Sequence, residues 1–187
     1  MTREAAHEPV TLLELVSPDG VTIGTAEKLS AHQAPGKLHR AFSVFLLDRT
    51  GRVLLQRRAL TKYHSPGVWS NTCCGHPYPG EAPEDAAARR SREELGFTPT
   101  LLVPAGTVSY RHPDDISGLV EQEYNHLFVG PADQPVNPDP NEVADTLFVN
   151  RDELETLYEE KPFSAWFRTV LDAALPEIRR IAPFGGW

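Results

Sequence analysis

The strongest local signal in this chain is a helix that follows a segment rich in glycine and proline. It lies in residues 75–97, which read GHPYPGEAPEDAAARRSREELGF. Pro83 is tolerated in a first helical turn, and the two acidic residues after it complement the positive end of the helix dipole. Gly96 supplies a C-terminal stop. These signals predict a helix over residues 83–95, against which the rest of the fold must pack.

Strand-like runs make up much of the remaining chain. Two pairs of runs precede the helix, and a short turn signal joins the members of each pair, so we expect two hairpins, formed by 10–16 with 21–28 and by 41–48 with 52–60. Further strands are expected after the helix, at 106–112, 118–129 and 145–149.

Two more helices are expected near the C-terminus. One begins after Asn150, and the other is capped by Ser164 and carries an apolar stripe at i, i+3, i+4 and i+7, formed by Phe167, Val170, Leu171 and Ala174. Because no change of composition marks a boundary, the 187 residues are expected to form one α+β domain, in which helices pack on a sheet.

The charge and cysteine content exclude several classes of protein. The net charge is −8 and there is no basic run, so binding of nucleic acid or an anionic membrane through bulk charge is not expected. The first thirty residues carry no cationic-then-apolar segment, which favours the cytoplasm. The only two cysteines are neighbours, a pattern that argues against a disulfide framework and favours reduced thiols.

The cysteines lie in the segment SNTCCGHPYPGE, residues 70–81. Side chains of an extended segment alternate between two faces, so Cys74 and His76 can share a cleft, whereas Cys73 and Cys74 cannot. At most one thiol is therefore catalytic. The alternative is that both cysteines are small buried apolar residues.

Histidines and glutamates suggest a metal site. Glu121 and Glu123 are expected on one face of a strand, where burial needs a metal or a shared proton to offset their repulsion. His32 and His39 flank a Pro-Gly break and converge if the loop folds back. Together with His76, these two histidines and the two glutamates would form a nitrogen and oxygen site suited to Zn²⁺ or Mn²⁺. The alternatives are a solvated strand face and histidines unconnected to any metal.

The segment 75–97 resembles the Nudix box. Its matching residues are Gly75, Glu81, Arg89, Glu93, Glu94, Gly96 and Phe97. The chain departs from the pattern at Arg90, where Nudix hydrolases have a metal-binding glutamate, and at Ser91, where an apolar residue is usual. An arginine at position 90 speaks against hydrolysis and suits the holding of a diphosphate.

That departure, together with the motifs NTCCGHP, YRHPDDISGLVEQE and FSAW, resembles the type I isopentenyl-diphosphate isomerases. The resemblance runs from Gly24 to Trp166. It implies a single Nudix domain over residues 1–187, with a central mixed sheet flanked by helices and with 1–20 and 177–187 peripheral. It also implies conversion of isopentenyl diphosphate to dimethylallyl diphosphate through a tertiary carbocation, in isoprenoid biosynthesis.

The resemblance also assigns roles to individual residues. It implies that the catalytic groups are Cys74, Glu123, Tyr110 and Trp166. It implies a site for Mn²⁺, Zn²⁺ or Mg²⁺ formed by His32, His39, His76, Glu121 and Glu123. It also implies a Mg²⁺ that bridges to the diphosphate and has Glu94 as a ligand. Cys74 belongs to the implied set of metal-binding residues as well. The cations expected to bind the diphosphate are Lys28, Arg57, Lys62 and Arg90.

Two other functions remain open at this point. One is a Nudix diphosphate hydrolase that acts on a nucleotide or another diphosphate, favoured by Glu93 and Glu94. The other is a non-enzymatic, metal-stabilised binding module on the same fold. The expected partner is a small-molecule diphosphate, and the sequence leaves the choice between a monomer and a weak dimer open.

Overall fold

The computed structural model describes residues 11–62, 64–115 and 117–187, and in these residues one mixed sheet has nine strands. The strands are β1 (Leu12–Val16), β2 (Thr22–Glu27), β3 (His39–Leu47), β4 (Val53–Arg58), β5 (Trp69–Ser70), β6 (Cys73–Gly75), β7 (Val103–Pro113), β8 (Val120–Pro131) and β9 (Val143–Val149). The helices are α1 (Lys28–His32), α2 (Pro83–Leu95), α3 (Arg151–Glu160) and α4 (Phe167–Ile181). Among the helices of this described part, none is both long and apolar enough to cross a membrane.

The central strand of the sheet is β3. It pairs in parallel with β8 along its whole length, from His39 opposite Glu123 to Leu47 opposite Pro131. On its other edge, β3 pairs antiparallel with β6, where Ser43 lies opposite Cys74. Strand β7 extends the sheet beyond β8. This order places residues of β6 and β8 on opposite sides of one buried strand.

The hairpin prediction is confirmed for the first pair of runs, and for the second pair it is confirmed only next to the turn. Strands β1 and β2 pair antiparallel, as expected, although residue 10 lies outside the described residues. Strands β3 and β4 share a single pair, Leu47 with Val53, and then separate. Strand β4 instead pairs with β5 and β9. The turn between the two strands is present as predicted, but each strand pairs over a greater length with a strand from elsewhere in the chain.

Two apolar cores lie on the two faces of the sheet. Alternation along β3 sends Phe45 and Leu47 to one face, which α4 covers, and Phe42 and Val44 to the other, which α2 covers. The bounds of α2 are those predicted, and its left-handed C-cap is Gly96, with φ of 80°. The two-layered core confirms the expected α+β class, with helices flanking a central mixed sheet.

The C-terminal helices are also present, with one correction. Helix α3 begins after Asn150, whose side chain caps it in a capping box with Glu153. Helix α4 buries the predicted apolar stripe, but its N-cap residue is Trp166, not Ser164. The Ser164 hydroxyl is instead hydrogen-bonded to the Ser70 hydroxyl, at 2.8 Å. A hydroxyl that has a buried partner in the sheet is not available to the helix.

The segments expected to be peripheral contribute to the core where they are described. Leu13 and Val16 of β1 are buried in the sheet. Ile178, in the last turns of α4, is also buried. Residues 1–10 lie outside the described residues.

Candidate active site

A cavity of about 500 Å³ is lined by residues of α1, β6, β8 and α2 and by Trp166 at the start of α4. The cations that line it are Lys28, Arg58, Lys62, Arg89 and Arg90, and the carboxylates are Glu94, Glu121, Glu123 and Glu142. Cys74, His76 and Trp166 also line it. A cationic region and a region of imidazoles and carboxylates therefore share one cavity.

The cluster that we call the His/Glu cluster lies at this cavity. It contains one ligand atom from each of five side chains, and these atoms all lie within 4.8 Å of one another: His32, His39, His76, Glu121 and Glu123. The structure thus brings together all five residues of the expected divalent site. Such a set of nitrogen and oxygen donors is compatible with a divalent metal.

The first two imidazoles of the cluster come from the segment that connects α1 with β3. His32 ends α1, a short helix that the sequence prediction missed, and His39 begins β3. Gly36 lies between them with φ of +88°, and a Cβ atom at this position would lie 2.9 Å from Val120 Cγ1. A glycine is therefore needed where the chain folds back, and this turn makes the two imidazoles converge.

The tautomers of these histidines can be inferred from their backbone partners. His32 Nδ1 lies 2.7 Å from the Lys28 carbonyl oxygen, and His39 Nδ1 lies 2.8 Å from that of Lys37. A carbonyl oxygen only accepts, so both Nδ1 atoms donate, and in the neutral rings both Nε2 atoms present lone pairs to the cluster. His39 Nε2 lies only 3.2 Å from His76 Nε2. A cation between such donors removes their repulsion, so the cluster fits a metal ion.

The carboxylates complete the cluster from β8. Glu123 Oε1 lies 3.1 Å from His76 Nε2, and Glu121 Oε2 lies 3.2 Å from His32 Nε2. Burial and the neighbouring Glu123 charge raise the pKa of Glu121 to about 7. Burial also opposes ionisation of Glu123, but the nearby imidazoles outweigh it and hold its pKa well below the ordinary value. Burial lowers the pKa of His76 to about 3, so this ring is neutral and able to act as a ligand.

The second oxygen of Glu123 is held from behind the cavity. Tyr110 lies opposite Glu123 in the pairing of β7 with β8, and its hydroxyl donates to Oε2. Asn125 Nδ2 also donates to Oε2, at 2.9 Å, and to the Tyr110 hydroxyl, at 3.1 Å. Burial and the Glu123 charge raise the pKa of Tyr110 well above its ordinary value, so the phenol remains a donor.

The two cysteines face opposite sides of the sheet, as the alternation predicts. Cys73 is fully buried and packs in the core under α2. Cys74 lines the cavity and packs against the other core. Burial raises the pKa of the Cys74 thiol to about 12, so the thiol keeps its proton near neutral pH.

The cationic region is built around α2. Arg90 Nη2 lies 2.5 Å from Glu94 Oε1 and 3.1 Å from Glu142 Oε2, and Lys62 forms an ion pair with Glu142. Glu94 accepts a further hydrogen bond from Gln56 Nε2, at 2.8 Å. The predicted residues Lys62, Arg90 and Glu94 are therefore held together by charge.

Arg57 is the one predicted substrate-binding residue that the structure does not place at the cavity. It is exposed, and its Nε donates to the Gly67 carbonyl oxygen at 3.1 Å. Arg58 lines the cavity instead, with its guanidinium 5.6 Å from the centre of the Trp166 ring. The register between β4 and β9 shifts between the two arginines, and such an irregularity changes the direction of the following side chain.

Four residues of the site were not found from the sequence: Arg58, His64, Asn125 and Glu142. The alternation that gave Glu121 and Glu123 would also have given Asn125, two residues further on the same face. His64 and Glu142 lie in loops, where no regular alternation of side chains indicates the direction in which a residue points.

Comparison with known proteins defines the family of this chain. Residues 37–171 match the NUDIX domain family. The isopentenyl-diphosphate Delta-isomerase of Streptomyces griseus is 69% identical over 94% of this chain and 90% of the relative. The Nocardia farcinica protein of the same name is 45% identical, over 91% of this chain and 98% of the relative.

Solved structures show the same fold. A protein from Deinococcus radiodurans gives a TM-score of 0.67 at 19% identity and covers 90% of this chain and 98% of its own. The MutT protein from Methanosarcina mazei Go1 gives a TM-score of 0.60 at 21% identity and covers 75% of this chain and 94% of its own. The relatives and the domain match agree with the resemblance found in the motifs, and the chain belongs to the isopentenyl-diphosphate Delta-isomerase family, within the NUDIX domain family.

Proposed function

We propose that this protein converts isopentenyl diphosphate to dimethylallyl diphosphate, using Cys74 and Glu123 as its acid–base pair. The observation that carries the proposal is their placement. The thiol comes from β6 and the carboxylate from β8, which pair with opposite edges of β3, and both side chains line one cavity. A flat alkene that lies between them would meet one proton-transfer group on each face.

The reaction requires such an arrangement. A proton is added to the terminal carbon C4 of the alkene, which leaves a tertiary carbocation at C3, and a proton is then removed from C2. The two transfers need an acid and a base that reach different parts of the substrate. Because the reaction is reversible, the group that donates in one direction accepts in the other.

The protein holds these two groups in different protonation states. The half-buried thiol of Cys74 carries its proton, whereas the carboxylate of Glu123 is ionised and held by Tyr110 and Asn125 at one oxygen. A divalent ion in the His/Glu cluster, whether Mn²⁺, Zn²⁺ or Mg²⁺, would fix the orientation of Glu123 and tune its proton affinity. The phenol of Tyr110 keeps the second oxygen oriented during proton transfer.

Trp166 is proposed to stabilise the cation. Its side chain is buried, and it lines the cavity. An aromatic face can stabilise a desolvated cation by on the order of 2 kcal/mol, which corresponds to more than tenfold in rate. The indole would also help to exclude water, which otherwise converts the cation to an alcohol.

The cationic region is proposed to bind the diphosphate. Lys28, Lys62, Arg90 and Arg58 line the same cavity. Glu94 would hold a Mg²⁺ that binds the diphosphate, and Cys74 belongs to the same proposed set of metal-binding residues. Arg90 forms ion pairs with Glu94 and Glu142 in the region where a Nudix hydrolase needs a metal-binding carboxylate, which favours binding of the diphosphate over its hydrolysis.

The test is proton NMR of the protein with isopentenyl diphosphate and Mg²⁺ in D₂O. Loss of the exomethylene signals, together with new dimethylallyl signals and uptake of deuterium, is the expected result. An unchanged alkene, with release of phosphate from this or other diphosphates, would overturn the proposal in favour of the hydrolase. An unchanged alkene with no such release, and metal binding that survives replacement of Cys74 and Glu123, would favour the binding module.

A pair of matched variants tests the assignment of the thiol. Cys74→Ala is expected to abolish turnover, whereas Cys73→Ala changes the neighbouring cysteine on the opposite face and is expected to retain it. Turnover close to wild type in Cys74→Ala would exclude the proposal that Cys74 and Glu123 transfer protons on opposite faces of the alkene. The cytoplasmic location, the absence of nucleic-acid and membrane partners, and the choice between monomer and weak dimer stay predictions.

A further inference from the structure

His64 is a buried side chain at the site that the proposed chemistry does not use. It lies in the loop between β4 and β5 and is 5% exposed. Its Nδ1 atom lies 3.1 Å from Glu121 Oε1, and its Nε2 atom lies 3.4 Å from Asp114 Oδ2. Its ring stacks on the Trp166 ring, with centroids 5.6 Å apart and planes inclined by 12°. One imidazole therefore contacts both the His/Glu cluster and the aromatic wall of the cavity.

The contact with Glu121 fixes the carboxylate from outside the cluster. Glu121 Oε2 faces His32 Nε2 inside the cluster, and Oε1 faces His64. Each oxygen of this carboxylate thus lies within ion-pair distance of an imidazole nitrogen, which restricts its rotation away from the position in which it would bind a metal. Partners of this kind, just outside the ligand set, orient ligands and typically change metal affinity by about 10–100-fold when they are removed.

The contact with Asp114 fixes the imidazole itself. Asp114 Oδ2 accepts hydrogen bonds from the Ser117 hydroxyl, at 2.6 Å, and from the Ser65 hydroxyl, at 3.3 Å. The aspartate is thus bonded both within its own turn between β7 and β8 and to the loop that carries His64. The imidazole thus lies between the Glu121 and Asp114 carboxylates and against the Trp166 indole, and these three neighbours limit how the ring can turn.

We propose that His64 is a positioning residue that holds the Glu121 carboxylate in place for the metal and the Trp166 ring in place over the cavity. The first part concerns the His/Glu cluster alone. The second part rests on the proposed function, because it assumes that Trp166 faces a cation during turnover. His64 thereby links the orientation of a metal ligand to that of the aromatic ring.

Two substitutions separate these roles. His64→Phe keeps an aromatic ring for stacking but loses both nitrogens. His64→Asn places an amide donor near the position of Nδ1 but loses the ring. We expect His64→Phe to weaken Mn²⁺ binding to the metal-free protein by about 10–100-fold. We expect His64→Asn to keep the Mn²⁺ affinity within about threefold of the wild type and to lower kcat by roughly 3–10-fold with little change in KM.

The measurements are calorimetric titration with Mn²⁺ alone, steady-state kinetics and thermal unfolding. The control is His126→Phe, which removes an imidazole of β8 whose partner is Arg40, and it is expected to leave Mn²⁺ binding unchanged. If His64→Phe does not fold, Asp114→Asn tests the same arrangement, and it is expected to weaken Mn²⁺ binding severalfold. An Mn²⁺ affinity of His64→Phe, or of Asp114→Asn in its place, that equals the wild-type value would overturn the proposal.

The titration needs no substrate, so its result is independent of the proposed isomerase activity. Mn²⁺ binding weakened as expected in a protein that does not isomerise isopentenyl diphosphate would support the role at Glu121 and overturn both the role at Trp166 and the proposed function. A kcat of His64→Asn equal to that of the wild type, in an active enzyme, would overturn the role at Trp166 alone.

Discussion

The hydroxyl of Tyr110 allows a test of the proposed role of Glu123 in proton transfer. Tyr110→Phe removes one hydrogen bond to a buried carboxylate and changes little else in shape. The same oxygen keeps its bond from Asn125 Nδ2, at 2.9 Å, so the carboxylate does not become wholly unsatisfied. A hydrogen bond to a charged group contributes about 1.5–3 kcal/mol, which corresponds to roughly 10–150-fold in rate if the bond is needed in the transition state.

The kinetic pattern follows from where Tyr110 lies. It is behind Glu123 and does not line the cavity, so it makes no expected contact with the substrate. We therefore expect kcat to fall by roughly 10–100-fold while KM stays within about twofold. The assay is the rate of loss of the exomethylene signal at saturating isopentenyl diphosphate, repeated at several substrate concentrations.

The chain supplies a matched control for this substitution. Tyr124 lies on the neighbouring strand, where its hydroxyl lies 3.5 Å from the Thr107 hydroxyl. Tyr124→Phe deletes the same atom from a residue on the face of β8 opposite Glu123 and should leave kcat unchanged. Equal kcat values for the two variants, with both proteins folded, would refute the argument that Tyr110 orients the carboxylate.

Three further predictions follow from the described contacts. Arg58→Ala should raise KM by about tenfold or more through loss of a charge-assisted contact with the diphosphate, whereas Arg57→Ala should leave KM unchanged in the same assay. Removing divalent metal with a chelator should lower the unfolding temperature, and adding it back at about 100 times its Kd should restore roughly 5–10 °C in a melting experiment. Burial raises the pKa of Glu14, but the Gly80 amide and the Arg40 guanidinium outweigh it, so the pKa in the folded state is lowered. The free energy of unfolding lost in Glu14→Gln should therefore be largest above about pH 4.3. It should shrink when chemical denaturation is repeated at lower pH.

Elements with strong local signals could be predicted from the sequence. Helix α2 has its proline, its acidic first turn and its glycine stop within one short segment, and its bounds are those expected. The start of α3 after Asn150 was also predictable, because the capping signal lies within a few residues of the helix start. Strand alternation predicted that Cys73 and Cys74 lie on opposite faces and that Cys74 can share a cleft with His76, and in the structure Cys74 lines the cavity while Cys73 lies in the opposite core. Each of these inferences depends only on residues close together in the chain.

The errors come from contacts between distant residues. Strands β3 and β4 have a turn between them, but the long partners of each lie far along the chain, and no local signal reveals that competition. Ser164 has the chemistry of a cap, yet Ser70 takes its hydroxyl. Arg57 and Arg58 are neighbours, and the register with β9, a strand far along the chain, shifts between them.

The parallel pairing of β3 with β8 has a consequence for the order in which this protein can assemble. It joins residues roughly eighty positions apart, so a growing chain can make it only after β8 has been added. Before β8 is added, one edge of the central strand β3 has no partner, and the three histidines of the His/Glu cluster lack the two glutamates. The His/Glu cluster and the pairing of the second edge of β3 are therefore completed in the same event, and a chain interrupted before residue 120 has neither.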